Sequence, residues 1–143
     1  MPAAADLRNA ASPRAAAQSA SAQSTSIKSR VPVAIVDIGS NSVRLVIYEN
    51  QLRNAATLQN EKAICGIGRD MVSTGRLHAE GCAEALEALA RFRLIADGLG
   101  VEAREAVATA AARDAVNGAE FVAKAERAWG SRIRVLEIGR AHV

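Results

Sequence analysis

The chain has 143 residues, half of them hydrophobic, with 18 Lys and Arg against 15 Asp and Glu and a net charge of +3. That length provides for one domain, and that hydrophobic share excludes a wholly disordered polymer. Part of the positive excess sits in the N-terminal segment, so the remainder is nearly neutral; with one Trp, one Tyr and two Phe, neither a basic face nor a base-stacking platform is expected, and nucleic acid is not an expected partner.

Residues 1–31 are mostly Ala, Ser and Gln, with Arg8, Arg14, Lys28 and Arg30, one acid in Asp6, and no apolar periodicity. Such a segment cannot bury enough surface to offset its ordering entropy, so 1–31 is read as a disordered tail. Its Arg-containing, Ser-rich, acid-poor composition is also that of an organelle transit peptide, although no amphipathic face is evident. No run reaches the ~20 apolar residues of a membrane span, and no charged-then-apolar signal peptide opens the chain. A membrane is not an expected partner.

From Ala34 to Tyr48 the chain reads as a hairpin. Ala34 to Val36 is a continuous apolar run, as expected of a strand covered on both faces, and Val43, Leu45 and Ile47 alternate with Arg44, Val46 and Tyr48 at the spacing of a second strand. Asp37, Gly39, Ser40, Asn41 and Ser42 lie between them. Gly39 is expected to take the positive φ of a tight turn, and the amides and side chains of Ser40, Asn41 and Ser42 to converge on a phosphate as an anion-binding nest. Asp37, at the strand end, is placed to face hydrated Mg²⁺ accompanying that phosphate. An ordinary hairpin with Asn and Ser in its turn accounts for the same residues without a ligand.

Ala56 to Ile64 reads as a third strand that feeds a turn at Gly66-Ile67-Gly68. Ala79 to Ala96 reads as a helix with the apolar stripe Cys82, Leu86, Leu89, Phe92 and Ala96, ended by Gly98 and Gly100. A strand follows over Val101 to Thr109. Beyond it, Arg113 reads as an exposed helix residue pairing with Asp114 or Glu120. Asn117-Gly118-Ala119-Glu120 has the spacing of a capping box for a helix whose buried face is Phe121, Ala125 and Trp129, closed by Gly130. Ile133 to Leu136 reads as a last short strand. Cys65 and Cys82 lack metal or redox spacing and are read as core thiols in a reducing cytosol, and His78 and His142 stand alone.

Asp37-Ile38-Gly39-Ser40-Asn41-Ser42-Val43-Arg44-Leu45 resembles the first phosphate motif of the actin, sugar kinase and heat-shock ATPase superfamily, in the form carried by the exopolyphosphatase and guanosine pentaphosphate phosphatase (Ppx/GppA) family. Asn60-Glu61-Lys62 with Gly66-Ile67-Gly68, and Thr109 with Arg113, resemble two further segments of that family. The resemblance covers Val33 to Leu136 and implies an α/β fold: part of a ribonuclease-H-like, actin-like ATPase domain over 32–136, whose mixed sheet has three antiparallel strands followed by helix-strand units. It implies a phosphoanhydride hydrolase acting on polyphosphate or guanosine pentaphosphate, Mg²⁺ as cofactor, a cytoplasmic location and a homodimeric full-length protein. Asp37, Gly39, Ser40, Asn41, Ser42 and Arg113 are the implied phosphate-binding residues, and Asp37 the metal ligand. Asn41 and the Ser42-Val43-Arg44 that follows favour the phosphatase over an actin-like sugar or acetate kinase; a non-catalytic anion-binding module is a third reading.

After the strand matched by Arg134-Val135-Leu136, relatives carry Ser-Gly and a Glu-Glu pair that holds the candidate base. Here the chain reads Glu137-Ile138-Gly139-Arg140-Ala141-His142-Val143, so no catalytic residue is assigned. Residues 137–143 are expected to be a non-family tail. Ile138 to Val143 resembles the translation of a sequencing-adapter oligonucleotide, so a truncated product lacking the base and the second domain is the expectation, with a real divergent tail as the alternative.

Overall fold

Alternation decides the first strand. In β1 (Val33–Ile38), Ala34, Val36 and Ile38 are fully buried, whereas Val33 and Ile35 are half-buried and Asp37 is exposed. The strand is therefore covered on one face, not on both as expected, because a continuous apolar run is compatible with either arrangement. β2 (Ser42–Tyr48) repeats the pattern with Val43, Leu45 and Ile47 at full burial.

A computed structural model of the chain describes residues 30–137. The expected disordered tail, apart from Arg30 and Val31, and the expected non-family tail, apart from Glu137, lie outside the described residues. Beyond β2 come β3 (Thr57–Ile64), α1 (Met71–Thr74), α2 (Ala79–Gly98), β4 (Ala103–Ala108), α3 (Ala110–Asp114), α4 (Gly118–Trp129) and β5 (Arg134–Val135). The strands form one sheet in the order β3-β2-β1-β4-β5. β1 pairs antiparallel with β2, β2 antiparallel with β3, β1 parallel with β4 and β4 parallel with β5. This is the α/β class expected, a mixed sheet of three antiparallel strands followed by helix-strand units.

The buried face of α2 is not the stripe read from the sequence. Gly81, Ala85, Ala88, Leu89, Phe92 and Ala96 are buried, while Cys82 and Leu86 are only partly buried against the core. Small residues win the inward face because the helix lies close to backbone: a Cβ on Gly81 would stand 2.7 Å from the Cys65 carbonyl. Gly98 is the last helical residue rather than a terminator, and it is Gly100, at φ 67°, that turns the chain. Cys65 is buried as expected.

α4 buries Phe121, Ala125 and Trp129 and ends at left-handed Gly130, as the sequence indicates. Its start departs from the expected capping box. Asn117 occupies the N-cap position without a side-chain cap bond; its Oδ1 accepts from the Leu77 amide at 2.8 Å and its Nδ2 donates to the Leu77 carbonyl at 3.2 Å. A buried backbone with both groups unpaired costs more than one orphan helix amide, so the amide side chain serves the longer-range need. Glu120 instead accepts from Lys124 Nζ at 3.0 Å.

Candidate functional site

The turn between β1 and β2 is closed by the Gly39 amide, which donates to the Ser42 carbonyl at 2.9 Å. Gly39 does not adopt the positive φ expected of it. The left-handed conformation falls on Gly66, at φ 66°, in the loop behind. That loop clamps the turn: the Ser40 carbonyl accepts from the Gly68 amide at 2.9 Å, and the Asn41 carbonyl accepts from the amides of Cys65 and Gly66, both at 3.0 Å. Gly68 sits so tightly against the turn that a Cβ there would meet Ser40 Cβ at 2.7 Å.

The clamp dictates where the turn's donors point. No cis peptide is present among the described residues, and in a planar trans peptide the C=O and the following N–H face opposite ways. With the Ser40 and Asn41 carbonyls drawn toward the 65–68 loop, the amides of Asn41 and Ser42 face away from it. Among the described residues, the amides of Ser40 and Asn41 donate no hydrogen bond. Ser40 and Asn41 are exposed and Ser42 half-buried. Outward amides and short polar side chains on consecutive residues are donors for one anion.

Asp37 is exposed one residue before buried Ile38. It lies across from Arg44 in β2 and Val107 in β4, and Arg44 in turn lies across from Lys62 in β3. Among the described residues the Asp37 carboxylate has no hydrogen bond or ion pair. No group of three or more His, Cys, Asp or Glu able to hold a metal occurs among the described residues. Mg²⁺ does not need one, since it binds through one or two carboxylates together with phosphate oxygens and water. A single uncommitted carboxylate beside a turn with outward amides fits that donor set.

Arg113 stands on α3, at the same end of the sheet: the Thr109 amide, at the start of that helix, donates to the Ile38 carbonyl at 3.0 Å. Its guanidinium is engaged with its neighbour, Nε donating to Asp114 Oδ1 at 3.1 Å, both side chains being largely exposed. The structure thus brings Asp37, Gly39, Ser40, Asn41 and Ser42 together and leaves Arg113 nearby in an exposed ion pair. Such pairs contribute only about 0–1 kcal/mol, so the side chain is readily redirected. Thr109 Oγ1 is buried without a partner at the same strand end.

Sequence reading missed the role of the 65–68 loop, which it took for a bare turn. The signal was present in the Gly66-x-Gly68 spacing, because one glycine supplies the positive φ and the other the close approach to Ser40. Cavities among the described residues lie away from the turn. One of about 620 Å³ is lined by Arg104, Glu126, Arg132 and Arg134 among others; another of about 380 Å³ includes Tyr48, Leu52 and Glu105. Neither contains a turn residue, and with Asp37, Ser40 and Asn41 exposed the candidate site is an open rim at the sheet end.

A mixed α/β domain with a clamped polar turn where its first parallel pair of strands ends is the class defined by these features. The sequence model of the Ppx/GppA phosphatase family matches residues 46–139, and the chain belongs to that family. The crystal structure of the Aquifex aeolicus member of the Ppx/GppA family is 33% identical with a TM-score of 0.69, over 74% of this chain and 35% of that one. An exopolyphosphatase from Cytophaga hutchinsonii is 26% identical with a TM-score of 0.67, over 74% of this chain and 34% of that one. Retrograde regulation protein 2 of Saccharomyces cerevisiae is 30% identical over 78% of this chain and 21% of its own length. The chain therefore spans about a third of those solved relatives and a fifth of the yeast protein. No helix among the described residues is long and apolar enough to cross a membrane.

Proposed function

We propose that this chain supplies the phosphate-holding turn of a Mg²⁺-dependent phosphoanhydride hydrolase that releases terminal phosphate from polyphosphate or guanosine pentaphosphate. The observation that carries the reading is the clamped turn itself. The Ser40 and Asn41 carbonyls are spent on the 65–68 loop, so the amides of Ser40 and Asn41 and the Ser40, Asn41 and Ser42 side chains are left to meet an anion. Family membership supplies the phosphoryl chemistry, and a family relative named as an exopolyphosphatase supports polyphosphate as substrate. Asp37 would hold Mg²⁺ beside the turn. When bound, the ion supplies positive charge against the phosphate oxygens. Arg113, released from Asp114, adds a forked donor to the same group.

Phosphoryl transfer is catalysed by positioning and charge, which is what a preformed turn provides. Phosphate release by the full gene product is to be measured with Mg²⁺ from long-chain polyphosphate and from guanosine pentaphosphate, with and without a phosphoryl acceptor. Release without an acceptor, reduced about 100-fold or more in Asp37→Asn, is the expected result. Release that requires an acceptor and a nucleotide would place the turn in a kinase instead.

A further inference from the structure

We infer that Lys62 is a specificity-determining residue that takes the phosphoryl unit next to the one in the turn, so that condensed phosphates bind better than orthophosphate. This rests on the reading of the Asp37–Ser42 turn as a phosphate site and extends it onto the open face of the sheet.

The two faces of the sheet decide where a further cation can serve the turn. Ala34, Val36 and Ile38 of β1 and Val43, Leu45 and Ile47 of β2 are buried, on the face that α2 and α4 cover. The 65–68 loop belongs to that side, since Gly81 of α2 packs against the carbonyls of Cys65 and Gly66. Amides that face away from the loop therefore face away from the helices. Alternation along the strands puts Asp37, Ser42 and Arg44 on the open face, each next to a buried position. Lys62, directly across from Arg44 in the β2–β3 register, shares that face.

The same register supplies the reach. Ser42 pairs with Ile64 and Arg44 with Lys62, so Lys62 is the diagonal cross-strand neighbour of Ser42. Such neighbours stand about 7–8 Å apart, a span that a long side chain crosses. The ammonium of Lys62 thus comes up on the side of the turn where its donors are, beside a group held at Ser42.

The charge there is unrelieved. Lys62 and Arg44 are exposed, and among the described residues neither side chain has a hydrogen bond or an ion pair. Like charges directly across two strands repel each other, and a polyanion laid along the face removes that repulsion. Ser40 to Ser42 take one phosphoryl group, and Lys62, a mobile point charge on a four-carbon stem, meets the next. Orthophosphate has no second unit and gains nothing from Lys62.

Titration calorimetry of the full chain with Mg²⁺, using tripolyphosphate and orthophosphate as separate ligands, tests this in wild type, Lys62→Gln and Lys62→Arg, with circular dichroism to confirm the fold. Lys124→Gln, which removes the same charge from the helical side, is the control. The expected result is that Lys62→Gln weakens tripolyphosphate binding about tenfold while orthophosphate binding changes less than about twofold. Lys62→Arg keeps part of the tripolyphosphate affinity, and Lys124→Gln leaves both ligands unchanged. Equal losses for both ligands in Lys62→Gln, no loss for either, or an equal tripolyphosphate loss in Lys124→Gln would overturn the inference while leaving the turn as a phosphate site. Failure of the wild type to bind either anion would overturn the phosphate-turn reading and this inference with it.

Discussion

Gly68 carries the contact on which the turn's geometry depends. Its φ lies outside the left-handed region, so alanine is conformationally allowed there, but the added Cβ meets Ser40 Cβ at 2.7 Å. Gly68→Ala should therefore destabilise the fold by about 1–3 kcal/mol through overpacking and weaken phosphate binding by moving Ser40. Urea unfolding and calorimetry on the same variant check both, and an unperturbed variant would mean the loop does not clamp the turn. The two thiols give a second test. Burial pushes both above the ordinary thiol value, with Glu84 adding to the effect at Cys65 and Lys124 opposing it at Cys82. Alkylation at neutral pH should be slow at both and reach the half-buried Cys82 before the buried Cys65, as peptide mapping of iodoacetamide-treated protein would show. Among single residues, the polar turn and the identities of Asp37, Ser40, Asn41 and Ser42 were legible, because short polar residues between two apolar runs leave few other arrangements. The conformation of Gly39 and the partner of Asn117 were not. Both are decided by residues distant in sequence, Asn117 by Leu77, 40 positions away.

At the scale of elements, the helices and the sheet were legible from periodicity, but the rotation of α2 was not. Periodicity identifies a stripe, and contact with backbone then shifts it toward the smaller residues, here from Cys82 and Leu86 to Gly81, Ala85 and Ala88. The short helices α1 and α3 carry no full hydrophobic turn of their own and left no periodic signal. Two glycines in helices make opposite predictions. Gly118 opens α4 against α3, where a Cβ would stand 1.6 Å from the Ala112 carbonyl. Gly98 closes α2 with nothing within 4 Å of its Cβ position. Gly98→Ala should stabilise the protein by about 0.4–1 kcal/mol, whereas Gly118→Ala should destabilise it by several kcal/mol and separate α3 from α4. Thermal and denaturant unfolding of the pair decides the matter, and equal shifts would contradict the packing of α3 on α4. That packing also holds Arg113 at the sheet end, so Gly118→Ala should lower phosphate affinity without touching the turn.

Across the whole molecule, α2 and α4 bury one face of the sheet through Phe92, Leu89, Phe121 and Trp129. The other face bears Asp37, Arg44 and Lys62 in register across three strands. The division puts the packing on one side and the charge on the other, with the clamped turn at the end of β1 between them. The strand order follows from a sequence pattern of hairpin, third strand and two helix-strand units, so the fold was largely legible. The cleft chemistry was legible only as far as the turn, because the basic row beside Asp37 is created by cross-strand register and has no local motif. Nuclear magnetic resonance mapping of backbone amides during titration with Mg²⁺ and tripolyphosphate tests the phosphate turn most directly. Shifts concentrated at Ser40, Asn41 and Ser42 and carried into Gly66 and Gly68 are predicted. Shifts centred instead on Arg132 and Arg134 beside β5, or none at the turn at saturating ligand, would contradict it.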